Sequence, residues 1–400
     1  MNSPRPNLSI LAPLLAALAA IGPFTIDTYL PAFPEMMADL GASQLDIQQS
    51  LTAYLLPFAF MALWHGAISD ALGRRPVVIF SLIFFILGSL GAACATSIEH
   101  LWLARALQGI SAGAGMVVSR AVVRDILDGP AAHKVMAQGA MMFALAPAVA
   151  PITGGWLLAA FGWRSIFIFL ALYGLALIFA IRRWLPETLP ADKRQSLHPV
   201  KLARSYAEVF SNPAFLGQSG ALAANFLGFF LYVLSAPVFL IEHLGLSAQG
   251  FGWLFVPTVS GMMLGSWWSA RLAGKLSPVG CLHLSYKLML AAAAANVTLN
   301  AIVEAQLPWA VLPVMLYTFG MAIGTPALQL LIIDLYPKKR GMVASCQGFM
   351  QSGANTFGAA VLAPLLWATP LKLAAGMAGL VLLGLLMFRF GQRSHPENNP

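Results

Sequence analysis

Long runs of apolar residues dominate the chain, and short polar or basic clusters break them at regular intervals. Each run is close to the ~20 residues that an α-helix needs to cross a bilayer. Several runs contain glycine or proline, which lipid-embedded helices tolerate better than soluble helices do. The pattern predicts twelve membrane spans, at residues 8–31, 48–68, 77–97, 101–122, 135–158, 165–185, 213–236, 249–270, 283–304, 308–333, 342–366 and 371–390.

The distribution of lysine and arginine predicts how these spans are oriented. With the amino terminus in the cytoplasm, 20 of the 23 basic residues fall on cytoplasmic segments, and only Arg105, Arg164 and Lys372 fall on the opposite side. The reverse orientation would contradict the positive-inside rule. We therefore expect an uncleaved first helix and both termini in the cytoplasm.

Composition excludes several other classes of protein. The chain is 59% hydrophobic and 10% charged, whereas soluble domains carry about a quarter charged residues. The net charge of +8 comes from basic clusters between the spans, so we expect no basic face for nucleic acid. Cys94, Cys281 and Cys346 lack metal-ligand or redox spacing and are interpreted as packing residues. No cofactor or metal is expected.

The chain divides into two similar halves. Its longest polar connection spans residues 186–212, which predicts a six-helix half at 1–185, a cytoplasmic linker and a second half at 213–400. At an offset of 209 residues, Asp125-Ile126 aligns with Asp334-Leu335, and the Gln-Gly pair at 138–139 aligns with the pair at 347–348. Such a parallel six-plus-six repeat is typical of the major facilitator fold, in which the substrate site lies between the halves. The predicted fold class is an all-α membrane protein with twelve transmembrane helices.

A motif of spacing G-x-x-x-D-x-x-G-R-R-P occupies Gly66–Pro76, in a predicted tight loop between the second and third spans. Glycine permits the turn, and the aspartate can accept hydrogen bonds from a helix N-terminus or a basic side chain. The spacing resembles the signature cytoplasmic loop of the major facilitator superfamily. That resemblance implies a latch between this loop and the start of helix 11, near Gly341 and Met342. The gating residues that it implies are Gly66, Asp70, Gly73, Arg74 and Arg75.

Two charged residues lie inside predicted spans at similar depth. Asp27 is about one turn from the end of helix 1, and Arg105 is about one turn from the start of helix 4, roughly 6–8 Å beneath the periplasmic surface at 1.5 Å per residue. Buried charges are costly and usually face a cavity or a partner. A carboxyl group beside an arginine can change protonation when its pairing or hydration changes. The alternatives are a snorkelling Arg105 and an Asp27 in a fixed salt bridge or among headgroups.

Two further motifs resemble those of proton-coupled drug antiporters. Arg105-x-x-Gln108-Gly is similar to their helix 4 motif, in which the arginine is implicated in proton transfer. Pro151, Gly154 and Gly155 resemble their helix 5 motif, although Ala150 replaces its first glycine. Small residues let helix backbones approach, and prolines bend a helix. The resemblance implies that these three residues take part in gating. The alternative is that they serve only close helix packing.

Taken together, the motifs resemble the Bcr/CflA family of bicyclomycin-resistance and chloramphenicol/florfenicol-efflux proteins. The contributing segments are residues 27–31, 66–76, 124–125, 150–155, 186–190, 235–237 and 333–337. The resemblance implies a drug–proton antiporter of the bacterial inner membrane, with phenicol or bicyclomycin-like substrates. We expect the carrier to be a monomer. One departure is Ala19, where some related antiporters carry a second acid.

The resemblance also implies a cavity lined by helices 1, 4, 7 and 10. The candidate substrate contacts are Tyr29, Tyr54, Gln108, Asn225 and Tyr232. Buried tyrosine and asparagine side chains also form hydrogen bonds between helices, which is the alternative for each.

Two other functions stay open at this point. One is the uptake or exchange of a specific solute such as an amino acid, without proton antiport. The other is a membrane enzyme or receptor. An enzyme is not expected, because the chain has no HExxH, GxSxG or P-loop motif and no paired carboxylates.

Overall fold

Polar residues between the apolar runs cap the helices and set their boundaries. Ser43 and Asp46 form a capping box, in which Asp46 N–H donates to Ser43 Oγ at 3.2 Å and Ser43 N–H donates to Asp46 Oδ2 at 2.9 Å. Such reciprocal bonds satisfy two donors that the first turn of a helix leaves free. At the other end of the same helix, Gly73 adopts a φ of 104°, which residues with a Cβ rarely adopt. The polar residues that interrupt the apolar pattern therefore mark the ends of the helices.

The computed structural model describes residues 8–127, 129–194, 197–337 and 339–394. Arg5 and Lys338, which count toward the charge distribution above, lie outside them. All regular secondary structure in the described residues is helical. The α-helices are α1 (Leu8–Asp27), α2 (Phe33–Leu40), α3 (Gln44–Leu72), α4 (Arg74–Ala93), α5 (Ile98–Ile126), α6 (Gly129–Phe161), α7 (Arg164–Trp184), α8 (Pro199–Phe210), α9 (Pro213–Leu234), α10 (Gly252–Leu272), α11 (Pro278–Ile302), α12 (Leu312–Asp334), α13 (Arg340–Phe357), α14 (Ala363–Leu366) and α15 (Pro370–Arg393).

Ten of the described helices are long and apolar enough to cross a membrane. They account for ten of the twelve predicted spans. The predicted span at 249–270 is α10, and the span at 342–366 is α13 and α14 joined by a π-helical segment, Gly358–Leu362. Serine, glutamine, asparagine and glycine lower the hydropathy of α13, which explains why length and apolarity alone do not select it. The all-α, multi-pass fold class is confirmed.

Several boundaries differ from the prediction. Regular α1 ends at Asp27 rather than near residue 31, and a short 3₁₀ turn, Leu30–Ala32, leads into α2. The prolines Pro31 and Pro34 at this break explain it, because proline lacks the N–H of a continuing helix. The predicted loop at 69–76 is also shorter than expected, since only Gly73 separates α3 from α4.

The chain separates into two compact units, residues 1–198 and 199–400. Within the first unit, α5 packs against α3 and α4, α4 packs against α7, and α1 packs against α6. Within the second unit, α12 packs against α10 and α11, α11 packs against α15, and α9 packs against α13. The same pairing order thus recurs in each unit, as the sequence repeat predicts.

Large apolar side chains are exposed on the outer faces of the spans. Examples are Phe60, Phe80, Leu103, Trp156 and Phe179, all at least 60% exposed. Helices whose solvent is lipid present such surfaces, so the exposed side chains agree with a multi-pass membrane protein.

Candidate transport site

The carboxyl group of Asp27 lies at the last residue of α1, where the regular helix stops. Asp27 is 3% exposed, and its Oδ1 atom has no hydrogen-bond partner in the described part of the chain. The neighbouring hydroxyls are occupied, because Thr25 Oγ1 donates to the Ile21 carbonyl and Thr28 Oγ1 donates to the Phe24 carbonyl, each at 2.6 Å. A buried polar atom without a partner is uncommon and is often functional.

The guanidinium group of Arg105 lies in an aromatic cage. Its carbon is 4.3 Å from the centroid of the Tyr29 ring and 4.6 Å from that of Tyr54. Each such cation–π contact is worth ~2 kcal/mol when desolvated. Arg105 is fully buried, so its side chain does not reach the surface as a snorkelling arginine would.

Hydrogen bonds orient the same guanidinium toward α1. Arg105 Nη1 donates to the Thr25 carbonyl at 3.1 Å and to Gln108 Oε1 at 2.8 Å. Gln108 Nε2 in turn donates to Ser89 Oγ on α4 at 2.8 Å. Three helices therefore hold one charge, and the Nε and Nη2 atoms of Arg105 remain without partners among the described residues.

Asp27 and Arg105 do not form an ion pair in this structure, since none of their charged atoms approach within 4.0 Å. They nevertheless contact the same segment, because Arg105 binds the carbonyl of Thr25, two residues before Asp27. The hydroxyl of Tyr54 is also unpartnered there. The site thus holds an acceptor and several donors that are buried and unsatisfied, and such groups can accept a proton, a water molecule or a ligand.

The predicted substrate contacts of the first unit all belong to this site. Tyr29 and Tyr54 form the cage, and Tyr29 Oη is 3.0 Å from Ser50 Oγ. Gln108 connects Arg105 to α4. Their assignment to a substrate cavity stays a prediction, because all three are fully buried and already contact other protein groups.

The predicted substrate contacts of the second unit form hydrogen bonds between helices. Asn225 Nδ2 donates to Tyr286 Oη at 3.1 Å, and Tyr317 Oη donates to the Asn225 carbonyl at 2.8 Å. Asn296 Nδ2 donates to Tyr232 Oη at 2.7 Å. These are the contacts that the alternative interpretation expects, and they join α9 to α11 and α12.

Helix α6 touches α1 next to Asp27. A Cβ atom placed on Gly154 would overlap the main-chain carbonyl of Thr28, so only glycine allows the two backbones to approach this closely. Pro151 and Gly155 are buried on the same stretch of α6. The antiporter-like motif therefore positions the end of α1, whatever its part in gating.

The Gly66–Pro76 motif surrounds Arg74 with polar groups. The Arg74 guanidinium pairs with Asp70, and its Nε donates to Asp125 Oδ2 at 3.0 Å. Its Nη1 also donates to Ser69 Oγ at 2.8 Å, and Ser69 Oγ donates to the Gly66 carbonyl at 2.9 Å. Most of the motif thus lies on the last turns of α3 rather than in a loop.

Glu187 is a part of this cluster that the sequence analysis did not identify. Its Oε1 accepts the Arg74 N–H at 3.0 Å and its Oε2 accepts the Arg75 N–H at 3.2 Å, while Arg75 Nη2 donates to the Arg182 carbonyl at 2.8 Å. A carboxylate at a helix N-terminus satisfies free N–H groups and the helix dipole. The sequence feature that could have identified it is an isolated acidic residue between two prolines, directly after the basic end of α7.

The comparisons with known proteins agree with the fold and the motifs. Residues 15–361 match the family model described as Major Facilitator Superfamily. The chain is 36% identical over 318 residues to the uncharacterised transporter YdgK of Bacillus subtilis, covering 78% of each chain. It is 29% identical over 389 residues to multidrug resistance protein D of Escherichia coli, covering 95% of this chain and 94% of that one.

The chain is also similar to a further relative and to a solved structure. The chain is 31% identical over 274 residues to the bicyclomycin resistance protein homologue of Haemophilus influenzae, covering 68% of each. A bacterial homologue of the lysosomal transporter Spinster aligns with a TM-score of 0.70 at 16% identity, covering 100% of this chain and 99% of that one, which shows the fold alone. The chain is therefore a transporter rather than an enzyme: it belongs to the major facilitator superfamily and is similar to the Bcr/CflA proteins in it.

Proposed function

We propose that the chain exports amphiphilic drugs of the phenicol or bicyclomycin-like type in exchange for protons, by alternating access. The single observation that carries the proposal is the buried Asp27 carboxyl group, whose Oδ1 atom has no hydrogen-bond partner among the described residues, near the caged Arg105. The names of the relatives support drugs as substrates, since two of them are a multidrug resistance protein and a bicyclomycin resistance protein homologue.

The chemistry of coupling follows from the cost of an unpaired buried charge. An ionised carboxylate in a dry site is costly unless a cation or hydrogen-bond donors stabilise it. Proton binding to Asp27 removes that cost, and proton loss requires water or the free Nε and Nη2 atoms of Arg105. A drug that approaches the same groups changes their hydration, so proton and drug occupancy oppose each other.

The cage makes Arg105 a suitable partner in this exchange. Its bonds to Thr25 and Gln108 use one nitrogen and leave the other two free. Because guanidinium stays charged under all conditions in which proteins fold, Arg105 supplies a fixed positive potential, and Asp27 is the group that gains and loses the proton.

The proposal also includes the orientation of the chain in the membrane and the position of its cytoplasmic gate. The positive-inside rule supports an inner-membrane protein with both termini in the cytoplasm, which puts Asp27 near the periplasmic side and Arg74 near the cytoplasmic side. The polar cluster around Arg74 would open and close with the cytoplasmic gate. The latch to the start of helix 11 stays part of this proposal, as does a monomeric state.

Drug resistance in cells tests this function. Bacteria that lack their own efflux pumps would express the wild-type chain or Asp27→Asn at equal membrane abundance. We expect the wild type to raise florfenicol resistance, a protonophore to abolish florfenicol efflux, and Asp27→Asn to behave like the empty vector. Resistance that is unchanged by Asp27→Asn would refute the coupling role. Tight competition by one amino acid instead would favour the uptake or exchange alternative.

A further inference from the structure

A cavity lies within the first unit, and none of its lining residues belongs to the cage around Arg105. It has a volume of about 190 Å³. Helices α1, α5 and α6 form its walls, and the lining residues are Leu15, Ala16, Ala19, Met116, Ser119, Arg120, Val123, Val135, Met136 and Gly139.

Arg120 is the one charged residue among those that line the cavity. It lies six residues, about 9 Å, before the end of α5. This position is close to the cytoplasmic end of the predicted span at 101–122, where a long basic side chain can reach water, and Arg120 is exposed. Arg120 therefore adds an exposed positive charge to a cavity whose other lining residues are uncharged.

Two polar side chains close to Arg120 in the sequence of α5 are already bound to other groups. The hydroxyl of Ser119 donates to the Gly115 carbonyl at 2.6 Å. Asp125, further along α5, accepts hydrogen bonds from Arg74 at 3.0 Å and from Thr188 at 2.9 Å. Within the described part of the chain, no hydrogen bond or ion pair engages Arg120. Its five N–H donors are available to a ligand.

We propose that this cavity binds the anionic end of an amphiphilic substrate, with Arg120 pairing to its carboxylate. The planar guanidinium matches the two oxygens of a carboxylate, and the apolar walls suit an attached ring. Met116 and Met136 make those walls adaptable. Ala19 contributes no charge to compete for Arg120. The volume is smaller than the ~300–1,000 Å³ of pockets that enclose a whole drug, so the cavity takes one end of the molecule.

This inference goes beyond the proposed function, on which it rests for transport, because it adds weak-acid amphiphiles as a second substrate class and places their entry subsite on the side assigned to the cytoplasm. Its test is nevertheless separable from proton coupling. Binding at Arg120 does not require Asp27, so Asp27→Asn should lose coupled transport and keep the anion subsite.

The experiment measures equilibrium binding of nalidixate, an amphiphilic carboxylate, and of its uncharged methyl ester. Full-length protein would be held in phosphatidylcholine nanodiscs. We expect wild-type protein to prefer the acid, and Arg120→Gln to weaken nalidixate binding by about tenfold or more, the loss expected for a charge-assisted hydrogen bond, with ester binding unchanged. Arg124→Gln is the matched control, because Arg124 lies one turn away on α5 and does not line the cavity.

A second variant keeps the arginine and tests the charge. Ala19→Glu puts a carboxylate into the cavity to compete for Arg120, and it should also weaken nalidixate binding. Equal binding by wild type and Arg120→Gln, or an equal loss in Arg124→Gln, would overturn the proposal. Complete displacement of nalidixate by added phosphatidylglycerol would also overturn it, since the site would then be a lipid-headgroup site. Retained binding in Asp27→Asn would support it even if drug–proton exchange were absent.

Discussion

The contact between Gly154 and Thr28, the residue that follows α1, yields a sharp prediction, because a single methyl group should disturb the site without touching a charged residue. In Gly154→Ala, the new Cβ would overlap the carbonyl oxygen of Thr28, and it would lie 2.7 Å from the carbonyl carbon and 3.2 Å from the Cα of the same residue. All three are main-chain atoms, so no side-chain rotation relieves the overlap. Helix α1 must move away from α6.

The size of the effect follows from these distances. Moving the Thr28 carbonyl carbon from 2.7 Å to the 3.4 Å of an ordinary contact displaces α1 by at least 0.7 Å. Overpacking of this kind costs ~1–3 kcal/mol. Asp27 precedes Thr28 directly and moves with it. Because misplacement of reacting groups by about 1 Å can cost ~100-fold in rate, we expect drug–proton exchange to fall by about tenfold or more.

Gly379→Ala is the matched control. Gly379 lies within α15, where a Cβ would meet no atom within 4 Å. Both variants gain the same helix propensity, so the stability difference between them isolates the overlap. Thermal unfolding of the detergent-solubilised proteins and florfenicol efflux from everted vesicles would be measured at equal protein content. Gly154→Ala that is as stable and as active as Gly379→Ala would contradict the close approach of α1 and α6.

Three further substitutions test other parts of the account. Arg105→Lys keeps the charge but loses the planar fork that stacks between two tyrosines; we expect normal membrane insertion and at least about a tenfold loss of florfenicol efflux, whereas wild-type efflux would exclude the cage from transport. Glu187→Gln removes the anion from the N-terminus of α4 and should lower stability by ~0.3–1 kcal/mol in a thermal unfolding assay at low salt; a loss that persists unchanged at high salt would argue against an electrostatic cause. Asn296→Leu removes the partner of Tyr232 and should cost ~0.6 kcal/mol, the average for such bonds in membranes, with florfenicol affinity unchanged; a large loss of affinity would assign Tyr232 to the substrate cavity instead.

The fold was predictable because the membrane spans and the turns between them depend on the hydropathy and charge of consecutive residues. Twenty apolar residues need a helix in lipid, and the basic clusters mark where each helix turns back. The positions of Asp27 and Arg105 along their helices were predictable for the same reason, since they follow from counting residues from a helix end. Their approach to one segment of α1, through the Thr25 carbonyl, agrees with that expectation.

The cage around Arg105 was not predictable from this pattern. Depth says nothing about the direction in which a side chain points around the helix axis, and the cage combines Tyr29, from the turn after α1, with Tyr54 from α3. The same limit applies to Asn225, whose partners on α11 and α12 are set by helix packing. The break of α1 at Asp27 was missed for another reason, because the apolar run continues past the residue at which the regular helix stops.

The central claim is that Asp27 couples drug movement to proton movement, and drug-triggered proton release in proteoliposomes tests it most directly. A pH-sensitive dye would report protons released when chloramphenicol or florfenicol is added to the wild type and to Asp27→Asn, with circular dichroism and thermal unfolding as controls for folding. Coupling through Asp27 predicts proton release from the wild type and none from Asp27→Asn. Equal proton release from both proteins, or none from well-folded wild type with either drug, would contradict it.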